Sequence, residues 1–263
     1  MKYYLVESPT ASKRIANAQK LASELIQEEI QCVDDIKNAD VVVPIGGDGA
    51  MLYSIKNYRD YGKPFIGINA GTRGFLMNTL DESENVVTLL KEEIEYQSLW
   101  LVEAGVTFVN DNVERHYGFN DIWVERASGQ TLRMHLHIDE NPQSTMIVGD
   151  GMLFSTPQGS TGYNLALRGK IITPGVPVLQ VTPMACVVNK APLGSIILSD
   201  RSEIKIDFEQ IDKRPARLFV DGIVFESDPI KSIYAKRSSH TVTLGFSKQA
   251  GFLTKVTSWQ TRL

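Results

Sequence analysis

The sequence predicts an α/β amino-terminal domain with a mostly parallel sheet, followed by an all-β sandwich carboxyl-terminal domain. Over residues 1–97, short apolar runs alternate with amphipathic stretches, the rhythm of parallel strands joined by crossover helices. Over 98–249, helical spacing gives way to short runs of alternating apolar and polar residues. The last stretch, about 250–263, is polar and is expected to pack back and complete the first domain.

Tyr3–Val6 is a short apolar run and reads as the first strand. Ser12–Glu29 carries Ile15, Leu21, Leu25 and Ile26 at near-helical spacing, which predicts an amphipathic helix. Val41–Ile45 is continuously apolar, as in a strand buried on both faces. A helix is expected over Ala50–Tyr58, a second buried strand over Pro64–Ile68, a glycine-dotted loop over Asn69–Gly74, and a helix over Ser83–Glu93. Beyond Trp100, strands are expected at Val106–Val109, Leu132–Ile138 and Glu203–Phe208. Turn formers such as Asn110-Asp111-Asn112 and Asp139–Pro142 separate them.

The chain has 263 residues, 43% of them hydrophobic and 22% charged, enough to bury a core without disulfide or metal staples. Its formal net charge of −4 gives no sign of the basic surface that non-specific nucleic-acid binding needs. No apolar run approaches the roughly 20 residues that span a bilayer, and the start lacks the apolar core of a signal peptide. Cys32 and Cys186 are far apart and form no Cys-x-x-Cys pair. They are read as reduced, buried thiols, which fits a cytoplasmic protein with no membrane partner.

Gly46-Gly47-Asp48-Gly49 follows a buried strand and precedes a helix. Glycines let backbone approach a phosphate, and the free N–H groups at a helix start favour anions. A carboxylate there would repel phosphate unless it has a task, such as taking a proton from a hydroxyl nucleophile or helping to hold a metal. Asp-Gly is also a common tight turn, so both readings stand at this point. No Gly-x-x-x-x-Gly-Lys-Ser/Thr run occurs, and no Gly-x-Gly-x-x-Gly follows the first strand. His116, His135, His137 and His240 form no His-Glu-x-x-His pattern; His135 and His137 are read as ordinary strand residues.

Three further segments bear on the chemistry. Gly67–Leu76 is a glycine-spaced loop after a strand. Asn120-Asp121 sets an amide beside a carboxylate, a pair suited to ribose hydroxyls and adenine. Asp150–Asn164 is rich in small and hydroxyl residues, as a nucleotide-lined loop would be. Together with Gly46–Gly49, these segments resemble the NAD kinases. That family carries Gly-Gly-Asp-Gly, Gly-x-Asn-x-Gly-x-x-Gly-Phe-Leu, an Asn-Glu or Asn-Asp pair, and Asp-Gly leading to Thr-Pro-x-Gly-Ser-Thr-Ala-Tyr. All four stand here in order from Gly46 to Tyr163, with weaker likeness through Thr182–Ala185 to Asp221-Gly222.

The resemblance implies phosphoryl transfer from ATP to the adenosine ribose 2′-hydroxyl of NAD, giving NADP. It implies Asp48 as the catalytic carboxylate and Gly46, Gly47 and Gly49 around the nucleotide. Asn120, Asp121, Asp150, Thr161, Gly162, Tyr163, Asn164, Leu165, Ala166 and Ala185 are implied as substrate contacts. Mg²⁺ or another divalent metal would accompany ATP, with no metal ligand assigned. A homotetramer or homodimer is expected. Three positions depart from the pattern: Gly162 replaces the usual Ala, Ala166 stands where many relatives have Ser, and Val148 stands where some carry Arg. From pattern alone, Asp150-Gly151 and Asp221-Gly222 each read as a hairpin turn between apolar runs; the resemblance makes Asp150 a substrate contact instead. The alternatives are another Gly-Gly-Asp-Gly kinase, acting on a lipid or sugar phosphate, or a non-catalytic dinucleotide sensor.

Overall fold

A computed structural model describes residues 1–9, 11–71, 74–79, 86–225, 228–247, 252 and 255–257. The chain divides into two compact units, 1–99 with 242–263, and 100–241.

In the first unit, β1 (Tyr3–Glu7), β2 (Val41–Gly46) and β3 (Ile68–Asn69) form a parallel sheet in the order β1-β2-β3. The helices are α1 (Lys13–Glu29), α2 (Asp48–Tyr58) and α3 (Val86–Lys91). Every residue of β2 is buried, as its unbroken apolar run predicts for a central strand. Val41, Val43 and Ile45 share a core with Ile26, Ile66, Ile68 and Leu89.

Three expectations are corrected in this unit. Leu21 and Leu25 of α1 are exposed, and the helix buries Gln19, Ser23 and Ile26 instead. The polar face is turned inward because it has partners: Gln19 Nε2 donates to the Ile45 carbonyl (2.5 Å), and Ser23 Oγ to Glu7. The run Pro64–Ile68 is mostly not regular strand. Phe65 instead makes isolated bridges to Val42 and Leu244, with Phe65 N–H donating to Thr243 O (2.9 Å). Finally, α2 begins at Asp48, two residues earlier than expected, so Asp48 is helical and Gly47 is the cap. The predicted helix over 83–93 appears as α3; residues 83–85 lie outside the described residues, as do Thr72 and Arg73 of the glycine-dotted loop.

The remaining strands run β4 (Ile94–Phe108), β5 (Val113–Gly118), β6 (Asp121–Arg126), β7 (Leu132–Ile138), β8 (Thr145–Gly149), β9 (Gly151–Ser155), β10 (Val178–Met184), β11 (Val187–Val188), β12 (Ala191–Pro192), β13 (Ile196–Ser199), β14 (Ile204–Phe208), β15 (Ala216–Val220), β16 (Ile223–Phe225) and β17 (Ile230–Ser247). One short helix, α4 (Tyr163–Ala166), precedes β10. Two sheets result, β13-β10-β9-β6-β15-β16 and β12-β11-β8-β7-β14-β17-β4-β5. Alternate residues of both sheets meet in one core: Ile122, Val124, Phe154 and Leu179 from the first, Val102, Met134, Ile147, Ile204 and Ile233 from the second. This is the sandwich the alternating pattern predicts.

The two Asp-Gly pairs part company. Asp221-Gly222 closes the β15–β16 hairpin, with φ of 48° and 83°. Asp150 instead carries the chain from one sheet to the other, because β8 pairs with β7 while β9 pairs with β6 and β10. Cys186 is buried and Cys32 half-buried, both as free thiols. Among the described residues no helix is long and apolar enough to cross a membrane.

Candidate active site

Gly46 ends β2 at φ +153°, a region L side chains rarely adopt. A Cβ there would lie 2.7 Å from Ala50 Cβ, so the strand can turn into α2 this tightly only with glycine. Gly47 caps α2, and Asp48 is its first residue, where the helix dipole favours a negative charge. Gly49 is exposed, and a Cβ there would meet nothing within 4 Å. The Asp48 carboxylate accepts from Phe75 N (3.0 Å) and Leu76 N (2.9 Å). Lys255 grips the same loop from its carbonyl side, donating to Phe75 O (3.0 Å) and Met77 O (2.5 Å). Burial raises the Asp48 pKa, while the two N–H donors and the Lys255 charge oppose that rise. Burial lowers Lys255 to about 8, against the pull of Asp48. Sequence reasoning missed Lys255, because nothing in the polar tail links it to a loop about 180 residues away.

In the second unit, Asn120-Asp121 stands at the start of β6. Thr156 Oγ1 and Gln158 Nε2 both donate to Phe119 O (2.7 and 2.9 Å), and Thr156 N donates to Asn120 O (2.9 Å). Gly159 packs so close that a Cβ would fall 2.0 Å from Asn120 O. The Thr-Pro-Gln-Gly-Ser segment is thus the clamp on the pair. Asp221 completes it, accepting from the N–H groups of Phe119 (2.7 Å), Asn120 (2.7 Å) and Asp121 (3.2 Å). The turn residue is therefore also a brace, which the hairpin pattern could not reveal.

Asn120 Oδ1 is buried and has no partner. Such an acceptor costs about 1–3 kcal/mol while it stays unmet. Asp121 is 3% exposed, and burial, then the charge of Asp221, raises its pKa well above 3.8. Gly162 lies beside the pair: a Cβ there would sit 3.2 Å from Gly159 O, tighter than ordinary contact, 3.6 Å from Asn120 Nδ2 and 3.9 Å from Asp121 Oδ2. The family's usual Ala would press on the Gly159 carbonyl.

Asp150, Tyr163 and Ala185 line one cavity of about 580 Å³. Ala185 holds a left-handed φ of 48° directly after β10. Thr161 ends a 3-10 turn, Leu165 is half-buried in α4, and Ala166 is exposed. Asn164 is different. It is fully buried, its Nδ2 donates to Ser160 O and Lys170 O, and its Oδ1 accepts from Gln180 Nε2 (2.7 Å) and Thr182 Oγ1 (2.6 Å). Both ends of its amide are used internally, so its side chain bolts α4 to β10.

Residues 5–97 match the ATP-NAD kinase N-terminal domain, and residues 119–242 the ATP-NAD kinase C-terminal domain. The chain belongs to the ATP-NAD kinase family. An NAD kinase of Hyphomonas neptunium is 31% identical over 207 residues, 75% of this chain and 79% of that one. An NAD kinase of Rickettsia typhi is 29% identical over 213 residues, 81% and 82% of the two chains. Two solved structures share the fold. A yeast NADH kinase complexed with NADH has a TM-score of 0.78 at 18% identity, covering 98% of this chain and 87% of that one. An Archaeoglobus fulgidus NAD kinase in complex with ATP has a TM-score of 0.71 at 21% identity, covering 98% and 99%. Membership makes this chain a phosphotransferase and gives both the loop of Asp48 and the clamp of Asn120-Asp121 a family context.

Proposed function

We propose that this kinase transfers the γ-phosphoryl group of ATP to the 2′-hydroxyl of the adenosine ribose of NAD, giving NADP and ADP. Asp48 carries the chemistry. As the hydroxyl oxygen bonds to phosphorus and the γ-phosphorus–oxygen bridge breaks, the hydroxyl proton passes to Asp48 and the electron pair leaves with ADP. The observation that supports this is the fixing of Asp48 by two backbone donors at the start of α2, with its charge offset by Lys255. Gly46 lets β2 turn tightly into α2, Gly47 caps the helix without a side chain, and Gly49 faces open space, which would leave the helix start open to phosphate. The unpartnered Asn120 Oδ1 would accept from a ribose hydroxyl, with Asp121 beside it.

Mg²⁺ or another divalent cation would accompany ATP. Among the described residues, no group of three or more His, Cys, Asp or Glu forms a metal site. Such a cation would be held mainly by phosphate oxygens and water, and would neutralise charge on the transferring group. A homotetramer or homodimer in the cytoplasm completes the proposal, the latter in keeping with two free thiols. Purified protein given ATP, Mg²⁺ and NAD should form NADP. Wild-type protein that consumes a lipid or sugar phosphate, or binds NAD without turnover, would overturn the assignment.

A further inference from the structure

The cavity beside Tyr163 holds two arginines that no family motif assigns. Arg126 ends β6; its Nε contacts Asp150 Oδ1 (2.8 Å) and its Nη1 donates to Ser128 O (2.9 Å). Arg217, on β15, donates from Nη2 to Glu125 Oε1 (3.0 Å). Glu125 Oε2 also accepts from Trp123 Nε1 (3.2 Å). Trp123 is stacked on Phe219, with centroids 4.7 Å apart and planes 2° apart, and Tyr163 is tilted against Trp123 with centroids 5.0 Å apart. Arg217 lies over the Phe219 ring, 5.6 Å from its centroid. The cavity is thus lined by Tyr163 and two guanidinium groups, each already held by one carboxylate, while the Trp123–Phe219 stack lies behind Tyr163 and Arg217.

We infer that Arg126 and Arg217 grip the diphosphate of the acceptor dinucleotide, with the nicotinamide end against Tyr163. The inference rests on the reading of this chain as an NAD kinase and names residues of that same site. A guanidinium offers five N–H donors in a rigid fork. The bonds above use two on Arg126 and one on Arg217, and they fix each fork before a ligand arrives. Glu125 and Asp150 balance the two positive charges. A pocket neutralised in this way favours a diphosphate of low charge over the more highly charged triphosphate, which a bare arginine pair would attract at least as well. The cavity, about 580 Å³, lies within the range of small-ligand sites. The sequence also lacks the arginine that some relatives carry at position 148. Val148 lies on β8 opposite Arg133 and is not among the residues lining this cavity. Positive charge reaches the cavity from β6 and β15 instead.

The test is steady-state kinetics of Arg126→Ala, Arg217→Ala and the double variant, with calorimetric binding of NAD and of adenosine, which lacks the diphosphate and the nicotinamide half. The double variant should raise KM for NAD about 10- to 100-fold, the scale of losing charge-assisted hydrogen bonds. KM for ATP should stay within about twofold, and adenosine affinity should be unchanged. Arg126→Lys, which keeps the charge without the fork, should recover only part of the loss. A melting temperature close to wild type guards against a folding defect. Equal losses for NAD and adenosine, an equal rise in KM for ATP, or no change for NAD would overturn the inference. Wild-type protein that forms no NADP would instead overturn the underlying assignment.

Discussion

Asp48 and Asp121 are both carboxylates drawn out of water, yet their surroundings treat them in opposite ways. Asp48 heads a helix, accepts from two backbone N–H groups and feels the positive charge of Lys255. Asp121 heads a strand, and the backbone donors around it go to Asp221, which accepts from Phe119, Asn120 and Asp121 itself. Burial raises both pKa values, but at Asp48 three opposing influences keep the anion within reach, while at Asp121 a second carboxylate adds to the rise. Burial alone therefore does not set the charge of a buried acid; the allotment of donors does. A residue that must take up a proton during turnover needs the first environment. A residue that grips hydroxyl groups as donor and acceptor can live in the second.

The largest expected effect breaks the first environment at its centre. Asp48→Asn should lower kcat by about 10²- to 10⁴-fold, the range for loss of a positioned base, with little change in KM for NAD. One of the two loop N–H groups also loses its acceptor, at a cost of about 1–3 kcal/mol in stability. A kcat within about tenfold of wild type would remove Asp48 from proton transfer.

Lys255 sharpens the comparison, since it is the cation that Asp121 lacks. Removing its charge, in Lys255→Met, should raise the Asp48 pKa further and move the acid limb of the kcat profile to higher pH. The deficit against wild type should thus be largest in acid, about tenfold for a change of one pH unit in the limb. It should shrink as pH passes about 8, where the wild-type ammonium itself loses its proton. Lys255→Arg should keep the wild-type acid limb. A deficit that is the same at every pH would mean that Lys255 only packs the loop.

Much of the first environment was legible in the sequence, and little of the second. The unbroken run Val41–Ile45 could only be a strand buried on both faces, and it delivers Gly46–Gly49 to the strand's carboxyl end. Alternation was equally direct for β7 and β14, whose inward residues fill the sandwich. What stayed hidden depends on partners distant in the chain. Lys255 and Phe75, or Asp221 and Asn120, meet across more than 100 residues, and no local period encodes such a meeting. Two identical Asp-Gly signals, at 150 and 221, diverge because Met152–Phe154 find partners on β6 and β10 rather than on β8. Leu21 and Leu25 misled for the same reason. The inner face of α1 was chosen by the Ile45 carbonyl and Glu7, which Gln19 and Ser23 satisfy. Asn164 looks like its neighbours in a small polar run, and only its complete burial separates it from them.

The smallest effect concerns stability and tests the second environment directly. The folded-state pKa of Asp121 is raised above its ordinary value of 3.8. Its contribution to stability is therefore fully present below that value and is lost as pH rises through the raised one. Asp121→Asn keeps the shape but cannot ionise, so it escapes that loss. Melting curves of the two proteins should lie closest near pH 4 and separate toward pH 8, with the Asn variant the more stable. Each tenfold change in proton affinity amounts to about 1.4 kcal/mol, and about 1 kcal/mol moves the midpoint by roughly 2–4 °C for a chain of this size. If the variant were instead less stable than wild type at neutral pH, Asp121 would be an anion held by donors like Asp48, and the contrast between the two carboxylates would disappear.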